Sequence, residues 1–132
     1  MMTLNSFNFN TTSGIRFGSG QAKDACKEIF NKLGSRILFI TDKGLMSLGL
    51  TKSTIEEIKK MASVEVFDDV EADPSKKTLL KAIEIGKKFK TTGVIGFGGG
   101  SSMDVAKLSA LILGSNEDLE KAWGVTNAKG PR

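Results

Sequence analysis

The chain has 132 residues, 39% hydrophobic and 26% charged, which is ordinary for a globular protein and enough for one domain with a buried core. It has no histidine and a single cysteine, Cys26, which excludes an internal disulfide, a Cys/His zinc cluster and any His-based nucleophile or proton shuttle, and suits a reducing cytoplasm. The net charge of +4 is spread along helical stretches, no apolar run reaches membrane-spanning length, and the N-terminus lacks the features of a signal peptide, so neither nucleic acid nor a membrane is expected as a partner.

Phe7 and Phe9, then Ile15 and Phe17, alternate with polar residues around Asn10-Thr11-Thr12-Ser13-Gly14, the pattern of a β-hairpin with a glycine turn. Gln21 to Leu33 reads as a helix, with Ala22, Ala25, Ile29 and Leu33 near helical spacing and Gly34 as its C-cap. Cys26 lies within it, and no neighbouring base is there to generate a thiolate. Arg36 to Thr41 contains a continuous apolar run, as in a parallel strand buried on both faces. Asp42 then falls just past the strand's C-terminal end, where open α/β sheets bind ligands. A carboxylate there accepts both hydroxyls of an adenosine ribose and repels a 2′-phosphate, which favours NAD over NADP. The plainer alternative is a cap on the turn Lys43-Gly44-Leu45.

Thr51 to Ala62 reads as a second helix, with Ser53 and Glu56 at capping-box spacing and Ile55, Ile58 and Met61 on one face. Val64 to Phe67 is a second short strand, followed by the acidic loop Asp68 to Ser75. Asp73 can cap a third helix, Pro74 to Lys90, whose inner face carries Leu79, Ala82, Ile83, Gly86 and Phe89. Lys87, Lys88 and Lys90 suit the negative end of that helix's dipole. A strand from Gly93 to Phe97 leads to a glycine-rich turn and a fourth helix ending near Leu113. That helix is apolar nearly all round, so a central position is expected. Asn116 to Trp123 reads as a short helix, and the residues after it as polar and turn-like.

The stretch with the clearest chemistry is Gly98-Gly99-Gly100-Ser101-Ser102-Met103-Asp104-Val105-Ala106-Lys107. Glycines let a ligand approach the backbone, and the helix that follows supplies unpaired N–H groups and a positive dipole end, which together suit a phosphate. The stretch is neither a P-loop, which needs Gly-Lys-Ser/Thr here, nor G-x-G-x-x-G, whose third glycine would fall on Met103. A pyrophosphate is expected over Gly98, Gly99 and Gly100 and the N–H groups of Ser101 and Ser102, with the Ser101 hydroxyl as a further donor. Asp104 is expected to order the helix's first turn, and Lys107 to be a surface lysine.

This stretch resembles the GGGSxxDxAK signature of the iron-containing (group III) alcohol dehydrogenases. Three other segments agree: Arg16-Phe17-Gly18-Ser19-Gly20 with the family's "fG.G" opening, Thr41-Asp42-Lys43-Gly44-Leu45 with its "TDxxL" ribose segment, and the loop before Pro74 with its nucleotide-contacting "v.pNPt". Asp73 stands where that loop usually has Asn, which removes an amide donor and adds negative charge. The resemblance implies hydride transfer between NAD(H) and a small alcohol or aldehyde, in a cytoplasmic homo-oligomer. It also implies a divalent iron held by Asp and His ligands in a helical C-terminal domain that is absent from this chain. No catalytic or metal-binding residue is therefore expected within residues 1–132.

Three buried strands alternating with helices make an α/β fold, a Rossmann-like doubly wound parallel sheet with an N-terminal β-hairpin. Residues 1–132 form one dinucleotide-binding domain, expected to be incomplete. Its acidic residue precedes its glycine loop, the reverse of the commonest dinucleotide fold. Two alternatives stay open: a non-catalytic nucleotide-binding or self-associating module, and the matching part of a glycerol dehydrogenase or dehydroquinate synthase-like enzyme.

Overall fold

β1 (Arg36–Ile40) is the middle strand of a parallel sheet of order β2-β1-β3, with β2 at Ser63–Phe67 and β3 at Gly93–Gly96. The computed structural model describes residues 12, 14–116 and 118–121. Side chains of a strand alternate between faces, and both faces of β1 are covered. Ile37 and Phe39 join Cys26 of α1 (Gln21–Leu33) and Ile55 and Ile58 of α3 (Lys52–Lys59). Leu38 and Ile40 join Leu79, Ala82 and Ile83 of α4 (Lys76–Phe89) and Val105, Ala106 and Ile112 of α5 (Gly100–Ser115). These four apolar side chains of β1 are 0% exposed. The chain passes from β1 to β2 through the short α2 (Lys43–Ser47) and α3, then returns across β1 to β3 through α4. The expected doubly wound order is present.

Local signals explain most boundaries. Gly34 ends α1 at φ 76°. Ser75 caps α4, its hydroxyl accepting from the Thr78 N–H at 3.2 Å. Other starts differ from expectation. The Ser53–Glu56 capping box does not form, because α3 begins at Lys52 and places Ser53 inside its first turn. The residue before it, Thr51, donates its hydroxyl to the Met46 sulfur at 3.0 Å. Asp73 does not cap α4, which starts three residues later. It sits instead at φ 51°, a left-handed conformation that Asp and Asn adopt more readily than most residues.

α5 is not central among the described residues. It lies beside the edge strand β3, buries the stripe Ser102, Val105, Ala106, Ser109 and Ile112, and leaves Met103 44% exposed. The first limb of the expected hairpin, Phe7 and Phe9, lies outside the described residues. The second is irregular, with Ile15 and Phe17 82% and 99% exposed. Of the short helix expected over Asn116 to Trp123, a single 3₁₀ turn at Leu119–Lys121 is present, and Trp123 is outside the described residues. Cys26 is buried, its thiol donating to the Ala22 carbonyl at 3.2 Å. Burial, with Glu57 nearby, pushes that thiol's pKa up, against thiolate formation.

Two glycines set how closely the layers approach. A Cβ on Gly86 of α4 would lie 2.6 Å from Leu113, and one on Gly93 at the start of β3 would lie 2.4 Å from the Leu33 carbonyl oxygen. The second obstacle is backbone and cannot rotate aside. Gly93→Ala should therefore lower the unfolding free energy by about 1–3 kcal/mol, the usual range for overpacking, seen as a lower urea midpoint. An unchanged midpoint would mean that the α1–β3 junction is loosely packed.

Candidate functional site

β1 and β3 are neighbours, yet the helices that follow them lie on opposite faces of the sheet, α3 on one and α5 on the other. Such a divergence opens a crevice at the strands' C-terminal ends. A cavity of about 430 Å³ lies there. Its walls are Asp42, Lys43 and Gly44 after β1, Val70, Glu71 and Ala72 after β2, and Gly99, Gly100, Ser101 and Ser102 after β3.

The glycine wall follows from backbone demands. Gly98 has φ +140°, and a Cβ on it would lie 3.0 Å from both Leu45 and Ser102. A Cβ on Gly99 or Gly100 would meet nothing within 4 Å and would stand in open space beside the cavity. Gly99 is the N-cap of α5 and offers no side-chain acceptor, so the first-turn N–H groups remain available to a ligand. Ser101 is half-buried on this wall, and Ser102 is buried.

Asp42 is half-buried and caps α2. Its Oδ1 accepts from the Leu45 N–H at 2.9 Å. The capping alternative read from the sequence is thus present, and it engages one of two carboxylate oxygens. Asp42 also forms an isolated antiparallel bridge with Asp69, which ties the loop after β1 to the loop after β2. Asp69 fastens that junction with charge, its two oxygens lying 2.5 Å from Lys43 Nζ and 2.8 Å from Lys81 Nζ. These two ammonium groups, Lys43 first, hold the Asp69 carboxyl down to about 2. Glu71 is held equally low, to about 2, because its Oε1 accepts from the Thr78 hydroxyl at 2.5 Å and the Ser75 N–H at 3.0 Å.

Asp42, Gly99, Gly100, Ser101 and Ser102 come together at the cavity, and Gly98 is the bend that leads into it. Asp73 and Asp104 are not brought there. Both line a second cavity of about 680 Å³ between α4 and α5, together with Leu79, Val105, Leu108 and Leu119. Asp104 does not order the first turn of α5. It is exposed and lies 3.7 Å from Lys107, one turn along the same helix. The sequence reading missed Lys43, Asp69 and Glu71. Ser75-x-x-Thr78 is a readable cap, but nothing in the sequence ties it to Glu71, and the Lys43–Asp69–Lys81 chain joins three different segments. Among the described residues no group of three His, Cys, Asp or Glu side chains could hold a metal ion, and no helix is long and apolar enough to cross a membrane.

Residues 12–131 match the model of the iron-containing alcohol dehydrogenase family. The chain belongs to that family. It is 29% identical over 123 residues to a sulfoacetaldehyde reductase from Bilophila wadsworthia, covering 92% of this chain and 32% of that protein. The solved structure of an NADH-dependent butanol dehydrogenase A from Thermotoga maritima matches with a TM-score of 0.71 at 29% identity, over 80% of this chain and 27% of that one. The structure of an alcohol dehydrogenase from Oenococcus oeni shares the fold with a TM-score of 0.85 at 24% identity, over 96% of this chain and 34% of the other. The chain thus spans about a third of the length of these family members.

The engaged carboxylates give a pH prediction. A carboxyl whose folded pKa is depressed stabilises the fold above its unfolded pKa, and that contribution is lost as pH falls toward the folded value. For Asp69 and Glu71 the window runs from ordinary values of 3.8 and 4.5 down to about 2. The urea midpoint should decline between those limits, and the decline should be shallower in Glu71→Gln. Equal slopes in the two proteins would show that the Glu71 bonds are not held in solution.

Proposed function

We propose that this chain is the coenzyme-binding portion of an NAD-dependent alcohol dehydrogenase, which transfers hydride between NAD(H) and a small alcohol or aldehyde. The observation that carries this reading is the cavity at the sheet's switch point, walled on one side by a side-chain-free turn and on another by Asp42. The dinucleotide, when bound, supplies or accepts the hydride. The chain's own residues bind and orient it. Gly99 and Gly100 present backbone without obstruction to the pyrophosphate, and the N-terminus of α5 adds partial positive charge. The Ser101 hydroxyl is a further donor. Asp42 accepts ribose hydroxyls with the oxygen that the Leu45 cap does not use. We assign no ligand contact to Asp73 or Asp104.

The family's iron does not fit the residues present. The chain has no histidine, and the described residues gather no three-ligand group. The remaining expectations, a cytoplasmic setting and a homo-oligomer, belong to the same proposal. Support for association comes from β3, which has a strand on one side only among the described residues.

Calorimetric titration with NADH and NADPH tests the reading. NADH should bind more tightly. Asp42→Asn keeps an acceptor for the Leu45 cap and removes the charge, so it should narrow the preference by about tenfold, the size of one charge-assisted hydrogen bond. Gly99→Val fills the open wall and should weaken both nucleotides. Binding that survives Gly99→Val undiminished would place the coenzyme elsewhere.

A further inference from the structure

The rim of the cavity carries a cation directly beside the ribose carboxylate. Lys43 follows Asp42 in sequence and shares its wall. A basic side chain in that position is how dinucleotide-binding folds accept a 2′-phosphate. In this chain the cation is already engaged, with Lys43 Nζ lying 2.5 Å from Asp69 Oδ1. The other Asp69 oxygen takes Lys81 of α4 at 2.8 Å. Asp69 is moreover held in register with Asp42 by the isolated bridge between their backbones. The carboxylate that would reject a 2′-phosphate and the carboxylate that occupies the neighbouring cation are therefore fixed to one another.

We propose that Asp69 is a coenzyme-specificity residue: it withholds Lys43 from a 2′-phosphate, so that preference for NAD over NADP is shared between Asp42 and the Lys43–Asp69–Lys81 chain. This rests on the coenzyme reading given above. Asp69 is not among the residues that line the cavity and acts through Lys43, so it is a positioning residue. A role confined to fastening two loops would affect both nucleotides alike. A role in selection changes their ratio. Lys43 is largely exposed, so the change is modest and screened by salt.

The test is the ratio of NADPH to NADH affinity, measured by titration for the wild-type chain, Asp69→Asn, Asp69→Glu, Lys43→Gln and the double variant Asp69→Asn/Lys43→Gln. Asp69→Asn should raise the ratio about fivefold, equivalent to about 1 kcal/mol, with a smaller rise at high salt. Asp69→Glu should restore the wild-type ratio, and the double variant should abolish the gain. Lys43→Gln alone should leave the ratio unchanged, because its ammonium is already withheld. That arm keeps the test decisive if Asp69→Asn fails to fold. NADH binding with an unmoved ratio in folded Asp69→Asn would overturn the inference alone. So would a fall in the ratio in Lys43→Gln, which would mean that Lys43 already serves the phosphate. A wild-type chain that binds neither nucleotide would overturn the coenzyme reading and this inference with it.

Discussion

Burial of β1 on both faces is the constraint on which the other elements depend. Ile37, Leu38, Phe39 and Ile40 are fully buried, and both edges of the strand are paired. A strand enclosed in this way has only its ends for polar chemistry. Thr41 and Asp42 lie at the C-terminal end, and the loops after β2 and β3 converge on the same end because all three strands are parallel. The order β2-β1-β3 then separates the helices following β1 and β3 to opposite faces. The position of the cavity is thus a consequence of sheet order, and the glycine turn leaves one of its walls free of side chains.

The crevice has two carboxylates on its walls, Asp42 and Glu71, although the proposed coenzyme is an anion. Their surroundings account for this. Glu71 spends its charge on the Thr78 hydroxyl and the Ser75 N–H at the start of α4, where the helix dipole also favours a negative group. Asp42 gives one oxygen to the Leu45 N–H. Opposite them, the start of α5 has no side chain acting as acceptor and leaves its positive end unengaged. The negative charge of the cavity is therefore fixed in place on one side, while its donors stand open on the other.

Much of this was legible in the sequence for identifiable reasons. The apolar run of β1 and the helical spacing of α1 and α4 come from burial that is repeated along each element, and their bounds fell within two residues. Asp42 and the glycine loop could be placed because each directly follows a strand. What escaped reading depended on pairs that meet only after folding. Asp69 finds Lys43 and Lys81 across the sheet's end, and Glu71 finds Thr78 over a turn whose path is set by the left-handed Asp73. Asp104 illustrates the opposite error. Its place in a recognisable signature suggested a role at the turn, but helical periodicity carries it past the first turn, toward Lys107 and the α4–α5 groove. The apolar surround of α5 also misled, since composition alone does not say whether partners for every face lie within the chain.

In the proposed complex the coenzyme seats on the start of α5, across from Asp42. Amide chemical-shift mapping during titration with NADH tests it most directly, because it reports the location of binding as well as its occurrence. The largest shifts should occur at Gly99, Gly100, Ser101 and Ser102, with a second group at Lys43 and Gly44. Shifts centred instead on Leu79, Lys107 and Leu108, in the groove between α4 and α5, would contradict it.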